Sequence, residues 1–155
     1  MKLDQNDFKL LNLLQQDSKL THKQLSLELD LSSTAVFERI KKMERGGIIK
    51  GYRAIVDRKL LGRELMVYTH VKLERHSKKN IIDFESRITG FNEVHECYHV
   101  SGDSDYILKM TFVDMAEYRD FIVSKLTSIP SIGSTYSIFI IKELKNATSY
   151  KFDNI

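Results

Sequence analysis

Between Thr21 and Arg45 the chain reads THKQLSLELDLSSTAVFERIKKMER, and no other stretch constrains the fold as much, because it specifies two short helices and the turn that joins them. Thr21 and Gln24 have the spacing of a capping box, and Leu20 before the cap can pack on Leu25 as a hydrophobic staple, so a helix starts at His22. Leu25 and Leu29 form its apolar stripe. Asp30 stands where the chain must turn and tolerates the left-handed conformation, while Leu31 can drop into the core behind it. Ser32 caps the second helix. At about 100° per residue, Val36, Ile40 and Met43 share one narrow sector of that helix, and Thr34, Glu38, Lys41, Lys42 and Arg45 spread around the opposite side. Phe37 lies on the flank, placed to touch thymine methyl groups or to pack on a neighbouring element. This is the pattern of a helix-turn-helix whose second helix suits a DNA major groove. The competing reading is an ordinary amphipathic helix pair with a solvated outer face.

The residues that follow weigh against that competitor. Gly46-Gly47 stops the helix, and IIKGYRAIVD then alternates like a strand that can form a wing beside it. From Arg39 to Arg63 there are nine Lys or Arg against two acids, Glu44 and Asp57, on a chain whose net charge is only +3. A local excess of that kind is an electrostatic footprint for phosphates. No apolar run approaches the roughly 18 residues of a membrane span, and MKLDQNDFKL lacks a signal-peptide core, so the expected location is the cytoplasm. The single cysteine, Cys97, excludes an internal disulfide framework and reads as a small buried hydrophobe.

The rest of the chain divides into two modules. A first helix runs to Gln16, with Asp4 as N-cap, Asp7 in its first turn and Phe8, Leu10, Leu11, Leu13 and Leu14 as its apolar residues. It completes a helix-turn-helix domain over residues 1–47, small enough to need support from a wing or a partner. Residues 48–64 read as a hinge strand and linker ending in RKLLGRE. From Leu65 the period changes to two, with Leu65, Val67, Thr69, Val71 and Leu73 on one side and Met66, Tyr68, His70 and Lys72 on the other. A helix over Ser77–Thr89 follows, carried by Ile81, Phe84 and Ile88. Val94–Val100 and Tyr106–Val113 then flank the SGDSD turn as a hairpin. Asp114 and Glu117 suggest a capping box for a helix presenting Met115, Tyr118, Ile122 and Leu126, Pro130 forbids its continuation, and Gly133–Ile141 is the last strand. The order over residues 65–145 is βαββαβ, an α+β ferredoxin-like domain with both helices on one face of a four-stranded antiparallel sheet, and residues 146–155 form a tail. The other sheet face and the sheet edges predict self-association. A dimer also suits a helix-turn-helix, whose paired recognition helices about 34 Å apart read two half-sites.

Four stretches in order, LDQNDFKLLNLLQQDSKLT, LSSTAVFERIKKMERGGIIKGYRAIVD, EVHECYHVSGDSDYILK and IPSIGSTYSIFIIKELK, give the chain its resemblance to the Lrp/AsnC, or feast/famine, family of bacterial and archaeal regulators. The resemblance implies a winged helix-turn-helix joined by a hinge strand to a ligand-sensing domain, with dimers assembling into tetramers or octamers on double-stranded DNA. Lys19, where arginine is common, Asp30 in place of the usual turn glycine, and the bulky Phe37 depart from the family pattern and leave the target sequence open.

The DNA contacts expected on this basis are Ser33, Thr34, Phe37, Glu38, Arg39, Lys41, Lys42, Arg45, Lys50 and Arg53, with Lys59 a further phosphate contact. Arg39 lies at the edge of the apolar sector, so an ion pair with an acid of the first helix competes with a phosphate role, and Glu44 reads as structural. The resemblance also implies a small effector, typically an amino acid, between dimers at the hairpin turn and the last strand. Asp103 and Asp105 suit its ammonium, Gly102 lets the backbone approach, and Ser134, Thr135 and Ser137 offer hydroxyls. The alternative is a turn rich in Asp, Gly and Ser for turn geometry alone. His95, Cys97 and His99 alternate and so share a face, but zinc needs convergent ligands, and they are expected to line a sheet face or interface rather than to bind metal. No cofactor is expected. There is no P-loop, dinucleotide fingerprint or nucleophile motif, so an enzyme is not expected. A tetrapyrrole decarboxylase on the same fold and an architectural DNA protein without an effector are the alternatives.

Overall fold

The computed structural model describes residues 2–147 and 149–152, so Thr148 and the last three residues of the expected tail lie outside the described residues. Two compact units form: one runs through Ile55 and includes the segment from Leu144, and the other is Val56–Glu143.

The first unit is built from α1 (Gln5–Gln16), α2 (His22–Leu29) and α3 (Ser33–Arg45). Each N-terminus is capped by the residue its sequence offers, because the first backbone N–H groups of a helix have no partner within it. Asp4 and Asp7 exchange reciprocal bonds, as do Thr21 and Gln24, and Ser32 accepts from Ala35 N–H at 3.1 Å. Asp30 adopts φ 52° and ψ 48°, the left-handed turn expected of it, and Leu31 packs behind it. Leu10, Leu11, Leu25, Leu29, Val36, Ile40 and Met43 are the core.

Two features of this unit differ from the sequence expectation. Residues 48–57 pair with no strand among the described residues, and Ile55 and Val56 are 82% and 64% exposed. Period-two alternation marks a segment able to extend, but a strand exists only where a partner completes its hydrogen bonds. Only the start of the stretch is anchored: Ile49 packs on the helical core and Tyr52 Oη donates to Glu44 at 3.2 Å. The tail, for its part, folds back on α1. Asn12 donates to the Phe152 carbonyl and accepts from its N–H, Gln15 does the same with Tyr150, and the Phe152 ring lies 5.8 Å from that of Phe8.

The second unit is a four-stranded antiparallel sheet of order β2-β3-β1-β4, from β1 (Leu65–Leu73), β2 (Val94–His99), β3 (Tyr106–Phe112) and β4 (Ile132–Phe139). Helices α4 (Lys78–Ile88) and α5 (Met115–Phe121) cover one face, where Phe84, Ile88, Phe121 and Leu126 meet Val67, Val71, Leu108, Met110 and Phe112. This is the expected ferredoxin-like arrangement. Arg58–Glu64 belongs to this unit rather than to a free linker, since Arg58 donates to the carbonyls of Arg63 and Glu64 and Arg63 pairs with Glu117 at 2.8 Å.

Three local details were not legible in the sequence. The capping box at α5 is incomplete: Asp114 accepts from Glu117 N–H, but Glu117 Oε2 returns to Val113 N–H at 2.5 Å instead of to the cap. The helix then widens into a π-turn over Ile122–Leu126, which keeps Leu126 buried, while Met115 is 55% exposed instead of facing the core. Gly133 passes so close to β1 that an added Cβ would lie 3.1 Å from the Glu74 backbone.

A bulge between Val94 and Glu96 corrects the expectation that His95, Cys97 and His99 share a face. An extra residue in one strand inverts the pleat beyond it. His95 bonds Thr111 Oγ1 at 2.6 Å on the open face, whereas Cys97 packs with the core and His99 stacks on buried Tyr106 at 4.6 Å. Burial, followed by the nearby Arg63 and Lys109, holds the His95 imidazolium below its ordinary range, and burial pushes the Cys97 thiol up. No cluster of three or more metal-ligating side chains exists among the described residues.

Candidate functional site

The outer face of α3 presents its polar residues unequally. Thr34, Glu38 and Lys42 are exposed and have no hydrogen-bond or ion-pair partner among the described residues, as are Lys50 and Arg53 beyond the helix. Lys41 pairs with Glu44 at 2.9 Å, Arg45 Nε donates to the Lys41 carbonyl at 3.2 Å, and Ser33 Oγ donates to Ser26 in α2 at 3.3 Å. Phe37 packs edge-on against His22, 5.5 Å between centroids, with Lys41 Nζ 5.9 Å from its ring. Its neighbour-packing role is therefore in place, with 39% of its surface left exposed.

Arg39 is committed inward. Its guanidinium bonds Asp4 at 2.7 Å and Asp7 at 2.6 Å, and the Asp7 side chain is only 4% exposed. The Arg39 hydrogen bond, seconded by the Asp7 N–H, holds the Asp4 carboxyl below the usual carboxylate range. A guanidinium that ties two acids of α1 to α3 fixes the recognition helix on the first helix, so of its two expected roles the ion pair is the one realised here.

In the second unit, the hairpin turn, β1 and β4 enclose an open cleft of about 660 Å³. From the expected effector residues it gathers Asp103, Ser134 and Thr135. To these it adds His70 and Lys72 from β1, Val100, Ser101 and Ser104 from the turn, Ile107 from β3 and Tyr136 from β4. His70 Nδ1 lies 3.1 Å from Ser104 Oγ, and the His70 and Tyr136 rings are 6.2 Å apart. The alternation of β1 had already set His70 and Lys72 on one face, but their meeting with β4 depends on register, Lys72 opposite Ser134 and His70 opposite Tyr136. Register between strands about 60 residues apart in sequence is not written in either strand alone.

Gly102, Asp105 and Ser137 do not line this cleft. Gly102 takes φ 131°, a conformation that favours glycine and shapes the turn. Ser137 lies on the helix side of the sheet, where its hydroxyl bonds Thr69 at 2.7 Å. Asp105 is consumed within the fold: Oδ2 accepts from Leu73 N–H at 2.7 Å and Oδ1 contacts His76 Nε2 at 2.7 Å. Burial alone would raise its carboxyl, but the Leu73 N–H, His76 and Lys72 outweigh burial and leave it below the usual range.

A group with a depressed folded pKa contributes stability that is present above its unfolded value, about 3.9, and lost as pH falls through the folded value. Asp105→Asn is accordingly expected to cost about 1.5 kcal/mol at pH 7, by the loss of charge-assisted bonds. Urea denaturation at pH 7 and below pH 3 checks this, because the gap between variant and parent should close once the parent carboxyl is protonated.

Comparisons with known proteins agree with both units. Residues 3–50 match the family model for a winged helix-turn-helix DNA-binding domain, and residues 66–150 match that of the Lrp/AsnC ligand binding domain. The chain is similar to the leucine-responsive regulatory protein of Haemophilus influenzae, 38% identical over 92% of this chain and 86% of that protein. It is likewise similar to that of Escherichia coli, 33% identical over 94% and 88%. Among solved structures it resembles a Neisseria meningitidis transcriptional regulator in complex with L-Met, at a TM-score of 0.92 with 31% identity and 96% of each chain covered. An AsnC family regulator from Agrobacterium tumefaciens gives 0.90 with 32% identity and the same coverage.

Proposed function

The chain belongs to the Lrp/AsnC family of transcriptional regulators, DNA-binding proteins and not enzymes, and from that premise we propose that an amino acid held in the cleft of its second unit controls its assembly and thereby its hold on DNA. The observation that carries this reading is the convergence of Asp103, Ser134 and Thr135 on one cleft inside the ligand-binding domain. An amino acid needs a carboxylate for its ammonium and donors for its own carboxylate, and these side chains supply both. That a similar regulator binds L-Met supports an amino-acid effector here.

Assembly is the lever. The open sheet face and the unpaired 48–57 stretch are the surfaces by which two copies associate, and the cleft opens at the border of that face. An effector shifts the equilibrium between assemblies only by its differential affinity for them. None of the described helices is long and apolar enough to cross a membrane; the protein acts in the cytoplasm, on double-stranded DNA. Light scattering at micromolar concentration, alone and with each common amino acid, with DNA retention measured in parallel, tests the reading. One amino acid should change both. Assembly and DNA retention indifferent to the whole panel would instead favour an architectural protein.

DNA binding has its own expected result. Lys42 is exposed and unpaired on the outer face of α3, which fits a phosphate contact. Lys42→Ala should weaken specific and unrelated duplexes alike and reduce the slope of log affinity against log salt by about 1. Fluorescence anisotropy across a salt series reads both effects.

A further inference from the structure

The cleft holds more polar groups than an aliphatic amino acid can use, and we infer that its effector carries a carboxylate or carboxamide side chain, anchored by Lys72. This rests on the reading of the cleft as the effector site. The α-ammonium of any amino acid takes Asp103, the only acid in the lining. Two separate sets of donors then remain: the Ser134 and Thr135 hydroxyls on β4, and Lys72 with His70 on β1. Whichever set takes the α-carboxylate, the other is left facing the side chain.

Neither Lys72 nor Asp103 has a hydrogen-bond or ion-pair partner among the described residues, so neither is already satisfied within the fold. His70 spends only Nδ1, on Ser104. The aliphatic lining is limited to Val100 and Ile107. A leucine or methionine side chain here would strip water from an ammonium or from hydroxyls and return no hydrogen bond, which is the arrangement that costs most on binding. A side-chain carboxylate or carboxamide replaces that water bond for bond. The site therefore selects by penalising apolar side chains as much as by attracting polar ones.

Isothermal titration calorimetry of the full chain with L-Asp, L-Glu, L-Asn, L-Gln, L-Leu and L-Met tests the inference. At least one of the first four should bind about 10-fold or more tightly than leucine and methionine, the worth of one charge-assisted bond. Lys72→Met should remove about 10-fold of that affinity, and Lys72→Arg, which keeps the charge, should stay within a few-fold of the parent. Lys72 is exposed and unpaired, and unchanged thermal melting of both variants confirms that folding is intact. Leucine or methionine binding as tightly as the polar four overturns the inference and leaves the amino-acid effector standing. Polar selectivity that survives Lys72→Met overturns the assignment to Lys72. If none of the six binds, the inference fails together with the reading of the cleft.

Discussion

Arg39→Met is expected to destabilise the helix-turn-helix unit by about 3 kcal/mol, the cost of leaving a buried carboxylate without its partner. Asp7 is the reason for so large an effect. Its side chain is 4% exposed and its Oδ1 lies 2.6 Å from the guanidinium. Methionine preserves much of the apolar stem of Arg39, so the loss is one of charge and not of packing. Against a typical domain stability of about 5–15 kcal/mol, and in a unit of three short helices, that loss is a large fraction of the total. Thermal unfolding followed by far-UV circular dichroism should show a lowered transition for helical signal. Adding Asp7→Asn to Arg39→Met removes the uncompensated charge and should recover most of the stability. DNA affinity then separates the two roles Arg39 can have. If it only holds α3 against α1, the double variant regains DNA binding together with its fold; if it also meets phosphate, the double variant folds and binds weakly. Arg39→Met melting like the parent would exclude the ion pair as a structural element.

The Arg39 pair illustrates how much of this molecule could be read from letters. Caps were legible because they depend on residues three apart: Asp4 with Asp7, Thr21 with Gln24, Ser32 with Ala35. The left-handed Asp30 and the βαββαβ order were legible for the same reason, since local sequence and hydrophobic period determine them. Arg39 could be placed at the border of the apolar sector, but its choice between acid and phosphate depended on where α1 lay. The failures are all non-local. The bulge that sends His95 to the face opposite Cys97 is one inserted residue in an otherwise regular alternation. The return of Tyr150 and Phe152 to Asn12 and Gln15 uses backbone bonds that carry no side-chain pattern. At the cleft, residue chemistry named Asp103, Ser134 and Thr135 correctly as neighbours in space, yet it grouped Asp105 with them because Asp103 and Asp105 look alike in a turn. Only the Leu73 N–H and His76 distinguish them, and both belong to a strand end far away in sequence.

Ile138→Asp is expected to weaken self-association of the protein by at least about 100-fold, the equivalent of burying one unpaired carboxylate at an interface core. Ile138 lies on the sheet face opposite the helices, across β1 from Tyr68, and is 40% exposed; Tyr98 and Tyr136 on that face are 51% and 68% exposed. Large aromatic and aliphatic groups gathered on a sheet face without a covering layer are what an interface core requires. Because Ile138 sits at a solvent-facing position of an edge strand, aspartate there costs the isolated fold only about 1 kcal/mol through β-propensity. Sedimentation equilibrium over a concentration series separates these effects, since the variant should remain folded while its association constant collapses. DNA affinity should fall with it, as two recognition helices held together gain from effective concentration what single ones lack. Loss of dimer with unchanged DNA affinity would mean that the helix-turn-helix units act singly. A dimer that survives Ile138→Asp would move the interface off the sheet face and onto the unpaired 48–57 stretch, where Ile55 and Val56 are the next residues to replace.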